Sequence, residues 1–355
     1  MVANEHLVLR RSDNINFTDK PNAEKRKILA KMKTLVTGSA GFIGFHVTNA
    51  LLDQGDEVVG FDNLNDYYDV GLKVARNAIL QNKPGYNFCD LDLCDYEGLA
   101  KLFRTEKIDR ICHLAAQPGV RYSLTNPLAY QKSNNEGFLN IIECARQFSV
   151  KQFVFASSSS VYGGNTKLPF SVDDRVDNPI SLYAATKRSN ELVAHVYSHL
   201  YGLNTIGLRF FTVYGPWGRP DMAYFRFTKA ILNDQPIEVY NRGKMARNFT
   251  YIDDIVAGVK ASLAYSAKYE IFNLGNDQTV ELLSFISCLE KLLGKKAKLT
   301  MLPLQPGDPI ETWADISSAR KKLNYQPKTD IEAGLKKFVA WFQAESAKEK
   351  QYVQQ

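Results

Sequence analysis

Paired metal-ligand spacings, membrane-length apolar runs and a dominant charge of one sign are all missing from this chain of 355 residues. Its five cysteines, Cys89, Cys94, Cys112, Cys144 and Cys288, are odd in number and include no Cys-x-x-Cys pair. They read as reduced thiols of a cytoplasmic protein, and no bound metal is expected. No stretch reaches the roughly 18 apolar residues of a spanning helix, so no membrane partner is expected. The net charge is +6, but residues 1–33 hold eight Lys/Arg against four Asp/Glu, which leaves only +2 on the rest. A mildly basic leader is no nucleic-acid footprint. The same charges argue against a signal peptide in the first 30 residues.

What is present fits an enzyme. Hydrophobic residues make up 45% and charged residues 23%, and the length suits one large α/β domain with a smaller lobe. Residues 1–31 show no period and read as a poorly ordered leader. Thr34–Thr37 reads as a buried strand, followed by a glycine turn and a helix from Phe42 to Gln54. Further strands are expected at Val58–Phe61, Asn87–Leu91, Arg110–Leu114 and Gln152–Phe155, with helices near Leu99–Thr105 and Gly137–Phe148. Alternating strands and helices predict a doubly wound parallel (Rossmann) sheet over 32–209. A smaller α/β substrate lobe is expected over 210–345, with segments near 250–275 returning to the sheet.

The glycine turn is the first chemical signal. Gly38 permits the turn, Gly41 lets backbone approach a pyrophosphate, and Gly44 lets helix and strand pack closely. Phe42, Ile43 and Gly44 open the helix, whose N-terminal N–H groups and dipole attract an anion. Asp62 closes the second strand 24 residues after Gly38, where a carboxylate accepts from ribose hydroxyls and repels a 2′-phosphate. NAD is therefore expected, rather than NADP.

Tyr183 and Lys187 form the second signal. Four residues apart on an amphipathic helix, they share a face. A phenol is a poor base at neutral pH, and a neighbouring ammonium and a positive nicotinamide ring would pull its pKa down. The run Ser157–Ser160 follows the fifth strand and can hold a substrate hydroxyl.

These residues resemble the extended short-chain dehydrogenase/reductase family, through Thr37–Gly44, His113–Ala116 and Tyr183–Lys187, over residues 32–345. Within that family the chain is most similar to nucleotide-sugar 4-epimerases, and especially to bacterial UDP-glucuronate 4-epimerases. The matching strings are Asp62–Tyr68, Tyr162–Phe170, Phe211–Met222 and Arg247–Asp254. The resemblance implies a role for each residue. Ser158 would hydrogen-bond the reacting hydroxyl, Tyr183 would be the acid and base, and Lys187 would tune it and bind the nicotinamide ribose. Asp62, Asn63 and Asn65 would hold the adenosine ribose, and Asp92 and Leu93 would contact adenine. Leu114, Ala115, Ala116 and Asn134 would line the cofactor. Ser158, Ser159, Ser160 and Asp308 would face the UDP-sugar, with Arg247 on its pyrophosphate and Thr212 and Arg219 at the uronate carboxylate. Gln305 stands where galactose-type epimerases carry a second phosphate-binding arginine, which weakens the expected uridine contacts. A cytoplasmic homodimer, joined through the Tyr183 helix and the Gly137–Phe148 helix and serving polysaccharide biosynthesis, is also implied.

Rival readings attach to the same residues. Decarboxylases and 4,6-dehydratases of the family carry an acidic residue where this chain has Ser159 and Ser160, which favours epimerisation. A UDP-N-acetylglucosamine or UDP-glucose 4-epimerase would need no cation at Arg219. A nonenzymatic NAD-binding regulator would not need both Tyr183 and Lys187. Arg219 could be a solvated loop residue, and Arg247 could pair with Asp253 or Asp254. The aromatic residues Trp217, Tyr224, Phe225 and Phe227 read as lobe packing rather than a sugar platform.

Overall fold

A computed structural model describes residues 32–305 and 309–353, with side chains through 347. The leader 1–31 and Asp308 lie outside the described residues.

Seven strands form one parallel sheet: β1 (Lys33–Thr37), β2 (Glu57–Asp62), β3 (Tyr86–Asp90), β4 (Arg110–His113), β5 (Gln152–Ser158), β6 (Thr205–Phe210) and β7 (Tyr269–Leu274). Their spatial order is β7-β6-β5-β4-β1-β2-β3. The chain winds outward from β1 to β3, then crosses back to β4 and winds the other way. The crevice where such a sheet binds ligands opens at that reversal, beyond the carboxyl ends of β1 and β4. Burial on both faces calls for continuous apolar strands. Leu35 and Val36, Ile111 and Cys112, and Phe153 to Phe155 are all fully buried.

The helices Phe42–Leu52 and Ile252–Ala264 cover one face. Tyr96–Glu106, Gly137–Gln147 and Leu182–Tyr201 cover the other. The last of these bears Tyr183. The Ser181 hydroxyl caps its first turn by accepting from Ala184 N at 3.1 Å, and Gly202, at φ 69°, ends it. Among the described residues no helix is long and apolar enough to cross a membrane.

Two differences from the sequence expectation matter for the site. Strand β5 runs through Ser158, three residues past Phe155, so Ser157 and Ser158 are strand and only Ser159–Tyr162 forms a 3-10 turn. A helix at Val70–Gln81, capped by Asp69 accepting from Gly71 N at 2.8 Å, was not anticipated.

Short paired strands and the helices Ala223–Leu232, Leu282–Leu293 and Ile331–Val353 make up most of the rest. Trp217, Tyr224 and Phe225 pack against Phe338, Trp341 and Phe342 of the last helix, with ring centroids 4.9–6.2 Å apart. That is core packing, not a platform for a sugar.

Candidate active site

One cavity follows the carboxyl edge of the sheet. It is lined by Gly38, Gly41, Phe42, Ile43 and Gly44 at the glycine turn, and by Asp62, Asn63, Asn65, Asp92 and Leu93 at one end. Leu114, Ala115 and Ala116 flank it, and Ser158, Tyr183, Lys187 and Arg219 line the other end.

The glycine turn is held by its own geometry. Gly38 sits at φ 72°, the left-handed region that suits glycine. A Cβ on Gly44 would come 1.9 Å from the Gly38 carbonyl oxygen, so the helix approaches the turn as only glycine allows. Its first N–H groups have no intrahelical acceptors and face an anion site. Asp62 accepts from Ala40 N at 3.2 Å and from Leu64 N at 2.9 Å, which leaves lone pairs for ribose hydroxyls. Burial pushes its carboxyl above the usual range, against the pull of Lys73. The donors and acceptors therefore fit a dinucleotide: N–H groups at the turn and a carboxylate one strand away.

Two cations that the sequence reading missed back this wall. Lys73 donates to the Asn65 carbonyl at 2.7 Å and to its Oδ1 at 2.8 Å. Arg76, fully buried, donates from Nη1 to the Ala40 carbonyl at 2.9 Å and to the Tyr68 hydroxyl at 2.8 Å. From Nη2 it reaches the carbonyls of Trp217 at 2.6 Å and Gly218 at 3.3 Å.

At the reacting end, the Ser158 hydroxyl and the Tyr183 phenol line the cavity together. Lys187, one turn further along the helix, donates to the Ala156 carbonyl at 2.9 Å. Burial lowers the Lys187 ammonium to about 8. The phenol moves the other way from the expectation. Burial raises it, because a phenolate loses its water there, while the Ser158 hydroxyl and the Arg219 charge pull it back. Arg219 itself lines the cavity and pairs with Asp221, so it is no solvated loop residue.

Other expected residues stand apart from the lining. Asn134 is buried in a π-helical turn, Gln131–Glu136, accepting from Gln117 N at 2.8 Å and donating to Thr186 Oγ1 at 3.1 Å. It ties the loop after β4 to the tyrosine helix. Ser160 N donates to Ser158 Oγ at 3.1 Å, so it positions that hydroxyl, and Ser159 shares the same turn. In their place Ser157 lines the cavity and donates to Glu191 Oε1 at 2.6 Å. Glu191 in turn is gripped by Arg209 at 2.8 and 2.9 Å. Thr212 lies between two lining residues, Phe211 and Val213, and its N–H donates to the Asn248 carbonyl. Arg247 is outside the lining, with Nη1 donating to the Ile310 carbonyl at 3.0 Å. Asp253 and Asp254, considered as its partners, engage Lys337 and the N–H groups of Lys328 and Thr329. Among the described residues no group of three or more His, Cys, Asp or Glu could hold a metal ion.

A model of the NAD dependent epimerase/dehydratase family matches residues 34–275. The chain belongs to that family. Among its relatives, UDP-glucuronate 4-epimerase 4 of Arabidopsis thaliana is 47% identical, over 94% of this chain and 82% of that one. A probable UDP-glucuronate 4-epimerase of Rhizobium meliloti is 45% identical, over 88% and 97%. Among solved epimerases, the UDP-glucuronic acid 4-epimerase of Bacillus cereus, in complex with UDP-glucuronic acid and NAD, superposes with a TM-score of 0.84. It is 37% identical, over 88% of this chain and all of that one.

Proposed function

We propose that the protein is an NAD-using epimerase that inverts C4″ of UDP-glucuronate to give UDP-galacturonate through a 4-keto sugar. The observation that carries this reading is the end of the cavity, where a phenol, a hydroxyl, a buried ammonium and a guanidinium meet. Bound NAD would supply the hydride acceptor and donor and a positively charged ring beside the phenol. The glycine turn and Asp62 would hold it, with residues 32–209 and the returning segment near 250–275 as the dinucleotide domain and the rest of 210–345 as the sugar-nucleotide lobe.

The chain's own groups divide the remaining work. Tyr183 takes the proton of the 4″-hydroxyl and later returns it, and Ser158 fixes that hydroxyl in line with the phenol. Lys187 lends positive charge that favours the phenolate. Arg219 receives the carboxylate of the uronate. Arg247 would hold the pyrophosphate, with Ser159, Ser160 and Thr212 on the sugar-nucleotide side. Asn63, Asn65, Asp92 and Leu93 would hold the adenosine end, and Asn134 keeps the cofactor wall in place. Binding energy on the nucleotide keeps the keto intermediate in the pocket while it turns.

Substrate profiling decides between the readings. The purified protein, without added NAD, is incubated with UDP-glucuronate, UDP-glucose or UDP-N-acetylglucosamine, and products are read by proton NMR. UDP-galacturonate from the first and slow or no conversion of the others is expected. Faster conversion of a neutral sugar, or a UDP-pentose with released carbon dioxide, would overturn the assignment.

A cytoplasmic homodimer accompanies this reading. The helices Gly137–Gln147 and Leu182–Tyr201 leave Leu139, Leu192, Val196 and Leu200 about half exposed, a surface a second copy would cover. Sedimentation equilibrium should give twice the chain mass, and Leu192→Glu with Val196→Glu should halve it. A wild-type monomer at micromolar concentration excludes the dimer.

A further inference from the structure

The guanidinium of Arg219 is gripped along a single edge. Its Nε donates to Asp221 Oδ1 at 3.0 Å and its Nη2 to Asp221 Oδ2 at 2.5 Å. This is the two-point fork that suits arginine and carboxylate. Nε and Nη2 form one side of the planar group, so Nη1 and the second Nη2 proton form another edge for a further acceptor. The Tyr67 phenol donates to the same Asp221 Oδ2 at 3.3 Å. Burial and the Asp221 charge push that phenol up to about 12, so it remains a donor at neutral pH. Tyr67, Arg219 and Tyr183 line one cavity.

We propose that Asp221 is a specificity-determining positioning residue, which locks one edge of Arg219 and turns the other toward a carboxylate on the reacting sugar. The proposal rests on Arg219 as the partner of the uronate. An arginine in the loop Gly218-Arg219-Pro220 has a long side chain to immobilise when its ligand arrives. The Asp221 fork immobilises it beforehand, which is how preorganisation raises affinity. Because Asp221 also cancels the charge of Arg219, an acidic sugar is told from a neutral one by the direction of donors rather than by a bare positive field.

The test is binding of UDP-glucuronate and UDP-glucose by calorimetry, in a Tyr183→Phe background with NAD present. Asp221→Ala is expected to weaken UDP-glucuronate ten- to thirtyfold and UDP-glucose less than twofold. Asp221→Asn, whose amide keeps one acceptor oxygen, should fall between it and the parent. In an Arg219→Ala background, adding Asp221→Ala should change neither affinity by more than twofold, since Asp221 acts through the arginine. Unchanged or tighter UDP-glucuronate binding in Asp221→Ala overturns the proposal, and so does equal weakening of both ligands. If Asp221→Ala does not fold, the Asn variant carries the same comparison. Failure of the proposed function reads differently: the parent itself would then show no preference for UDP-glucuronate over UDP-glucose.

Discussion

Tyr183→Phe is expected to slow epimerisation of UDP-glucuronate by at least about a thousandfold, roughly 4 kcal/mol of barrier. The variant loses one oxygen and little else. The ring stays in its place on the helix, edge-on to Tyr130 at 6.1 Å between centroids. Binding of the dinucleotide and of the sugar nucleotide should therefore remain within a few fold of wild type. Loss of turnover with ligand binding retained identifies the phenol as the proton-transfer group. A tenfold effect or less would move that role elsewhere, to Ser158 or to a bound water.

Lys187→Met should lower turnover by about a hundredfold, because the site loses the buried ammonium proposed to favour the phenolate. The same substitution has a pH signature in stability. In the fold the ammonium gives up its proton near pH 8, while in the unfolded chain it holds it to about 10.5. Between those values the unfolded state binds more protons, so wild-type stability should rise with pH, by up to about 1.4 kcal/mol per pH unit. Below pH 8 both states are protonated, and the cost of burying the ammonium is present in full. From pH 7.5 to 10.5, wild type should gain up to roughly 3 kcal/mol relative to Lys187→Met. Denaturant titrations of both proteins, stripped of dinucleotide, measure this difference. A difference that stays flat with pH would mean that Lys187 is not desolvated in the fold.

Much of the site could be read from the sequence because its signals are local. The glycine turn, Asp62 at a strand end, and Tyr183 four residues before Lys187 each depend on spacing within a single element. The Val70–Gln81 helix escaped because its pattern is inverted. Its buried residues are Lys73, Arg76, Asn77 and Leu80, at helical spacing but mostly polar, while Val74 and Ile79 are exposed. A hydrophobic period cannot reveal a helix whose inner face backs a polar cavity. Asn134 shows a different limit. Its place depends on a π-helical turn, which shifts the side chains that follow relative to α-helical spacing. Asp221 was in plain view inside the string Phe211–Met222, yet only the folded loop shows that it holds Arg219.

Arg76 ties two loops that sequence comparison treats as separate modules. One guanidinium holds the Ala40 carbonyl of the glycine turn and the Trp217 and Gly218 carbonyls just ahead of Arg219. Attempts to redesign the sugar preference by transplanting residues 217–222 from another epimerase will therefore disturb the cofactor turn as well. Such a chimera should need the 70–81 helix of the same donor to regain tight cofactor retention.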